Sequence, residues 1–178
     1  KKLEPRGIIA RLMRAKLVPP LTEVAVDELI ARWEGAQDAY GFLVAVFQLS
    51  NSALQFDGEV GSIPVEHDKL VRQFAKASRG VFRPEAVVET WNRASALKGD
   101  YEVQFVHEER VCRFMPRDFG DWYDVRSVLD AVNKALAYQG AAERFFELHT
   151  GDQTALFLFA NVSGFQSVGF LLATHDGT

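Results

Sequence analysis

Residues 155–160 form the apolar run that most constrains the fold of this chain. Every position in the run is apolar, whereas a strand with one buried face alternates between apolar and polar side chains. We therefore predict a central strand that is covered on both faces. Turn-forming residues at 150–153 and 161–164 separate it from two further apolar runs, 145–149 and 168–173. The pattern predicts a C-terminal three-stranded antiparallel meander, with helices or further strands packed on it.

The composition is typical of one folded domain of ordinary size. Of the 178 residues, 48% are hydrophobic and 25% are charged, which is enough apolar material for a substantial core. Cys112 is the sole cysteine, which excludes an intrachain disulfide and a cysteine-based zinc site and favours a reducing compartment. No apolar run approaches the roughly 20 residues that cross a bilayer. We expect a cytoplasmic protein without a membrane span.

The charge is divided between a basic N-terminal segment and an acidic remainder. Positions 1–18 hold six lysines and arginines against one glutamate, a local charge of +5, which leaves −9 on the rest of a chain of net charge −4. An acidic body binds phosphate backbones poorly and suits a basic partner. We therefore divide the chain into a basic amphipathic segment, 1–20, and a single α+β domain, 21–178. We predict a basic protein as the partner and no nucleic acid.

Apolar spacing and capping residues predict five helices. They are expected near residues 8–17, 22–34, 64–80, 84–99 and 124–140. The last of these is the best formed, with Asp124 as its N-cap and an exposed ion pair between Asp130 and Lys134.

The remaining apolar segments favour strands. Residues 101–105 and 111–115 are interpreted as two paired strands. Residues 42–56 are interpreted as a further hairpin, with a long buried helix reaching Leu49 as the alternative. The predicted fold class is α+β, with four or five helices against a mainly antiparallel sheet.

Two parts of the chain resemble each other when the sequence is aligned on itself. A shift of 58 positions aligns Phe47 with Phe105, Phe56 with Phe114, Glu66 with Asp124, and Leu70 with Val128. No gap is needed over this span, which suggests two ββα units, at 42–80 and 101–140. Two unrelated apolar patterns can also align in this way by chance.

The residue types that carry most enzyme chemistry are not arranged in a known motif. Four histidines lie in four different segments, and neither a Gly-x-Ser-x-Gly elbow nor a Walker A loop occurs. Cys112 lies in a predicted strand, with His107 across the turn as its nearest potential base. A buried structural thiol is the simpler interpretation. We predict no catalytic residue, no metal and no cofactor.

An acidic and aromatic loop, 117–124, is the most promising binding feature of the sequence. Its three aspartates recur at steps of three, but the calcium-loop pattern is absent and Asp124 is required as a helix cap. Aromatic side chains within a polar rim are typical of protein-binding hot spots, although such rings can also seal a loop onto the core. The predicted binding residues are Asp118, Phe119, Asp121, Trp122 and Tyr123.

A second acidic stretch, 57–68, holds four acids and neither lysine nor arginine. If the two repeat units lie side by side, this stretch lies near the first loop, and the two together form one negative edge. The predicted residues of this edge are Asp57, Glu59, Glu66 and Asp68.

These features predict a non-enzymatic protein that binds another protein, as an inhibitor or immunity protein binds a basic toxin or nuclease. The alternative is a small hydrolytic or metal-assisted enzyme whose site is assembled from distant segments, using Asp118, Asp121 and His107. A third interpretation is a small-ligand pocket beneath the phenylalanine-rich sheet.

Overall fold

The structure, a computed structural model, describes seven segments of the chain: 4–34, 39–49, 53–60, 66–91, 101–117, 120–150 and 152–172. Within these segments the chain forms six helices and six strands. The helices are α1 (Pro5–Arg14), α2 (Glu23–Glu34), α3 (Ala39–Leu49), α4 (His67–Ala77), α5 (Val125–Gln139) and α6 (Val162–Leu172). The strands are β1 (Ala53–Asp57), β2 (Glu85–Trp91), β3 (Tyr101–His107), β4 (Arg110–Phe114), β5 (Glu143–Leu148) and β6 (Thr154–Asn161).

The strands form two antiparallel sheets, which confirms the predicted α+β class. Sheet I has the order β1-β6-β5 and Sheet II has the order β2-β3-β4. In β6 every residue from Leu156 to Ala160 is buried, as expected for a strand covered on both faces. Leu156 and Leu158 pack into a first hydrophobic core, and Phe157 and Phe159 pack into a second.

The two cores lie on opposite faces of Sheet I. Helices α1, α2, α3 and α6 contribute to the first core, whereas α4 and α5 contribute to the second and contact strands of both sheets. The outer face of Sheet II has no helix of the described segments against it, and Val111 is 58% exposed there. No helix in the described segments is both long enough and apolar enough to cross a membrane.

The chain contains two interlocked β-α-β-β units. The first unit is β1–α4–β2–β3 and the second is β4–α5–β5–β6. The offset that relates the two parts of the sequence places β1 on β4, α4 on α5 and β2 on β5. Each sheet pairs the first strand of one unit with the last two strands of the other, because β1 joins β6 and β4 joins β3. The predicted ββα order is present at 101–140, where β3 and β4 precede α5, but not at 42–80, where the helix α3 takes the place of the first strand. The repeat that relates the two halves has the order β-α-β-β.

Two segments and one ion pair differ from the sequence-based prediction. Residues 42–49 belong to the helix α3, which was the alternative to a hairpin. Residues 85–91 form β2 rather than a helix, because Val88 and its neighbours pair with β3, the next strand along the chain. Asp130 pairs with Arg126 rather than with Lys134, at 3.3 Å.

The third strand of Sheet I also comes from an unexpected place. Two strands of the predicted C-terminal meander, β5 and β6, form an antiparallel pair as expected. Residues 168–172, however, lie in α6 and not in a strand, so β1 takes the third position in the sheet. The Asn161 side chain accepts a hydrogen bond from the Gly164 N–H at 3.1 Å, which caps the start of α6. The segment interpreted as a turn is therefore the beginning of a helix.

The basic N-terminal segment is packed on the rest of the protein. Ile9 and Leu12 of α1 are fully buried in the first core. The Arg6 guanidinium forms ion pairs with both Glu23 and Asp27 of α2. Part of the basic charge of this segment is therefore neutralised within the chain.

Candidate functional site

The structure brings together the loop after β1 and the loop before α5. The Tyr123 N–H donates to the Gly58 carbonyl at 2.9 Å, and the Val60 N–H donates to the Asp121 carbonyl at 2.6 Å. Glu59 and Trp122 lie opposite each other in this short antiparallel bridge. The two acidic loops therefore form one continuous surface.

Gly58 permits a third loop to join them. Its N–H donates to the carbonyl of Gln153, in the turn between β5 and β6, at 2.9 Å. A Cβ at Gly58 would lie 3.0 Å from that carbonyl and 3.3 Å from the Trp122 ring. The Gln153 side chain in turn donates to Asp57 at 3.2 Å. The close approach of backbone to backbone favours glycine at this position, because any side chain would push the Gln153 carbonyl or the Trp122 ring away by a few tenths of an ångström.

We call the carboxylates on these loops the acidic face. It comprises Asp57, Glu59, Glu66, Asp68 and Asp121. All of them are exposed except Asp68, which is half-buried. Glu66 pairs with Lys69 at 2.7 Å and Asp68 pairs with Arg72 at 3.3 Å, both within α4 or at its start.

Two residues of the predicted site, Asp118 and Phe119, lie outside the described residues. One further acid, Asp152, was not singled out from the sequence. It is exposed beside Gln153, and the Thr154 N–H donates to it at 2.8 Å, which lowers the pKa of its carboxyl. The sequence marks Asp152 only as a turn residue, and its nearness to Asp57 depends on the pairing of β1 with β6.

The two aromatic residues of the loop have different roles. Tyr123 is half-buried and makes edge contacts with the rings of Phe56 and His67, at centroid distances of 6.1 Å and 5.1 Å. Trp122 keeps 40% of its surface exposed, next to Glu59. Tyr123 therefore seals the loop onto the core, and Trp122 remains available to a partner.

A buried hydrogen-bond chain lies beneath the acidic face. His67 is fully buried, and its Nε2 accepts the Asp124 N–H at 3.0 Å. Nε2 therefore carries no proton, and the Nδ1–H donates to the Tyr101 hydroxyl at 2.8 Å. Burial lowers the pKa of His67 to about 4, so the imidazole is neutral at physiological pH.

The Asp124 carboxylate holds the second loop at the start of α5. It accepts hydrogen bonds from the Ser127 N–H at 3.2 Å, the Ser127 hydroxyl at 2.6 Å and the Arg117 N–H at 2.8 Å. Burial by itself raises the pKa of Asp124, but these hydrogen bonds outweigh it and lower the pKa. Asp124 is the N-cap that the sequence predicted.

Two residues of the enzyme alternative, Asp121 and His107, do not converge, and the third, Asp118, lies outside the described residues. His107 bonds Gln139, the last residue of α5, at 2.9 Å, whereas Asp121 precedes the first turn of that helix. A helix of 15 residues is about 22 Å long, so Asp121 and His107 lie at opposite ends of α5. In the part of the chain that the structure describes, no three histidine, cysteine or acidic side chains are grouped to hold a metal ion.

Cys112 is likewise not arranged as a nucleophile. It lies opposite Phe105 in Sheet II, and burial raises the pKa of its thiol, which keeps the sulfur protonated. Among the described residues it has no hydrogen bond to His107. The thiol therefore behaves as a half-buried apolar side chain.

The surface of the described residues includes the following two cavities. A cavity of about 410 Å³ lies between β4 and α5, and another of about 250 Å³ lies between α3, β1 and the turn before β6. The smaller cavity lies against Sheet I, where Gln55, Thr154 and Leu156 line it, but neither cavity is lined by Phe157 or Phe159. Neither cavity is lined by a residue of the acidic face.

Comparison with protein-family models, with curated proteins and with solved structures finds no match to this chain.

Proposed function

We propose that this protein is a non-enzymatic binding protein whose acidic face, with Trp122 at its centre, binds a basic protein in the cytoplasm. An inhibitor or immunity protein that neutralises a basic toxin or nuclease is the function of this type that fits best. The observation that carries the proposal is the backbone bridge between Glu59 and Trp122, which joins two acidic loops into one surface. The proposal requires no cofactor, no metal and no nucleic acid.

The joined loops support binding because they are already held in place. Backbone hydrogen bonds connect Gly58 to Tyr123 and to Gln153, and Val60 to Asp121. A surface that is ordered before association loses less conformational entropy on binding than a pair of free loops. An exposed tryptophan on such a surface is the side chain that most often dominates a protein interface.

The charge of the face favours a cationic partner. Its carboxylates lie on three parts of the structure: the loop after β1, the start of α4 and the loop before α5. Negative charge gathered in this way raises the rate of association with a positively charged protein and repels phosphate backbones. The two ion pairs, Glu66–Lys69 and Asp68–Arg72, both take their cations from α4, so Asp57, Glu59 and Asp121 take part in no ion pair of the described residues.

A photo-crosslinking amino acid at position 122 tests the proposal in the cell of origin. We expect a basic protein to be crosslinked and identified by mass spectrometry, and the yield to fall when Glu59 and Asp121 are both changed to lysine. The same amino acid at position 24 is the matched control. Val24 is 68% exposed on α2, which packs in the first core, on the opposite face of Sheet I from α4 and α5.

Binding of the purified captured protein completes the test. The association rate should fall about tenfold in the Glu59→Lys/Asp121→Lys variant, and should fall also with added salt. The proposal fails if positions 122 and 24 capture the same proteins, if the captured partner is acidic, or if the double variant binds at the wild-type rate.

A further inference from the structure

A groove between β4 and α5 has the opposite charge to the acidic face. It encloses about 410 Å³ and is lined on one side by residues 110–113 of β4 and on the other by Ala131, Lys134 and Tyr138 of α5. Positions 131, 134 and 138 lie on one side of a helix. Three of the lining side chains are cationic and none is acidic.

The cations of this groove have no carboxylate partner among the described residues. Arg110, Arg113 and Lys134 take part in none of the ion pairs of the described segments. The Arg110 guanidinium and the Lys134 ammonium instead lie over the Tyr138 ring, at 5.0 Å and 6.0 Å from its centre. A chain of net charge −4 therefore keeps three uncompensated cations around one cavity.

The groove also runs along a sheet edge. Within the described segments β4 pairs only with β3, so its other edge faces the groove. Glu108 and Glu109 both have left-handed φ angles, +48° and +60°, which is typical of a two-residue hairpin turn closed by a hydrogen-bonded pair, His107 and Arg110. Because hydrogen-bonded and free positions alternate along an antiparallel strand, the N–H and C=O groups of Val111 and Arg113 point to the open edge.

We propose that this groove binds an extended acidic segment of a partner protein, which adds to Sheet II as a fourth strand beside β4. The backbone of the segment pairs with the free groups of Val111 and Arg113. Side chains alternate across a strand, so one face of the segment meets Arg110 and Lys134, and the other meets Arg113. Acidic residues on both faces of the segment are therefore matched by cations, and the small side chain of Ala131 leaves room beneath it.

This second site is independent of the proposed function. Lys134 lies ten residues beyond Asp124, the N-cap of α5, and therefore about 15 Å along the helix axis from the loop that carries Asp121 and Trp122. A strand-like occupant is favoured over a small anion because the lining includes four consecutive residues of an edge strand. A small anion needs only the cations and makes no use of a free strand edge.

Fluorescence anisotropy with a defined probe tests the proposal. The probe is a fluorescein-labelled peptide, Gly-Glu-Val-Glu-Glu-Val-Glu-Gly, and its control is the same peptide with alternate backbone nitrogens methylated to remove the donors of one edge. We expect saturable binding of the probe and binding about tenfold weaker for the methylated peptide. Lys134→Glu should weaken probe binding about tenfold, whereas Lys76→Glu, at the equivalent exposed position of α4, should leave it unchanged.

The single cysteine supplies a second readout in the unmodified protein. Cys112 lines the groove, so the bound probe should slow its alkylation by iodoacetamide, and the methylated peptide at the same concentration should not. The proposal is overturned if the probe does not bind at millimolar concentration or if the methylated peptide binds equally well. It is overturned also if Lys76→Glu weakens binding as much as Lys134→Glu, or if inorganic phosphate or a single-stranded oligonucleotide occupies the groove more tightly than the probe.

Discussion

The two β-α-β-β units differ in which groups accept hydrogen bonds from the first backbone N–H groups of their helices. In the second unit the Asp124 side chain caps α5 from the adjacent position. In the first unit the equivalent residue, Glu66, has a left-handed φ of 58° and caps nothing with its side chain. The first N–H groups of α4 are instead met by distant side chains, since His67 N–H donates to the Tyr101 hydroxyl at 3.4 Å and Asp68 N–H to the Glu89 carboxylate at 3.3 Å.

This difference shows how a repeated fold can release one acid from a structural role. A local cap uses its carboxylate inside the protein, as Asp124 does at 1% exposure. A cap supplied by β2 and β3 leaves the carboxylate of Glu66 outside, where it joins the acidic face. Both capping side chains, Glu89 and Tyr101, belong to the same unit as α4, so the first unit frees this surface charge with its own strands.

Removal of the two equivalent acids gives the largest expected contrast. Asp124→Ala deletes the cap of α5 and leaves the Arg117 and Ser127 N–H groups without their acceptor, so we expect the free energy of unfolding to fall by about 3 kcal/mol. Glu66→Ala removes only an exposed ion pair and should change it by less than about 0.5 kcal/mol. Urea unfolding at neutral pH measures both. Equal losses in the two variants would show that the helix starts are not capped differently.

The sequence indicates the elements whose signals are local. The strand β6 and the N-cap Asp124 of α5 were both predicted. A strand buried on both faces is recognised from consecutive apolar residues, and a side-chain cap from the residue next to the helix, so both signals lie within a few residues of sequence. The strand β2 was not predicted, since its residues are held by pairing with β3 and carry a spacing that also suits a helix. Tertiary pairing overrides such a weak local preference.

In the candidate site, too, the residue types could be predicted from the sequence, whereas the contacts between distant residues could not. The acids and aromatics of both loops were visible in the sequence, and the alignment of the chain on itself correctly related Glu66 to Asp124. The contact of the loops with the turn at Gln153, and the partnership of His67 with Tyr101, depend on residues that are far apart in the chain. No spacing rule relates residues that only the fold brings together.

The two helix starts should also lose stability over different ranges of pH. Since His67 has a folded pKa of about 4 against 6.5 in an unfolded chain, the unfolded state takes up more protons between these values, and stability falls as the pH is lowered through this range. The expected loss attributable to His67 is about 2 kcal/mol between pH 7 and pH 5. The pKa of Asp124 is lowered from an ordinary 3.8, so its contribution is lost only at more acidic pH.

Denaturant unfolding of the wild type at a series of pH values, compared with His67→Gln, measures this effect. The slope between pH 7 and pH 5 should be smaller in the variant. Nitrogen-15 spectra of the histidine rings in the wild type give an independent check, because the hydrogen bonds of His67 predict the neutral form with its proton on Nδ1. An imidazole that is protonated at pH 6, or that carries its proton on Nε2, would contradict the buried chain.

The smallest expected loss of stability concerns the Tyr101 hydroxyl, which caps the start of α4 from β3. Tyr101→Phe keeps the ring but removes the hydroxyl that accepts from the His67 Nδ1–H, which leaves a buried donor unsatisfied. We expect the free energy of unfolding to fall by about 1.5 kcal/mol. Tyr123→Phe is the matched control, because the Tyr123 ring touches the same imidazole and no hydrogen bond between its hydroxyl and His67 is present in the described residues.

Hydrogen exchange shows where stability is lost. The first amides of α4 should exchange faster in Tyr101→Phe while those of α5 stay protected, because Asp124 caps α5 without help from Tyr101. Uniform acceleration across both helices would mean that the hydroxyl supports the whole core and not the start of α4.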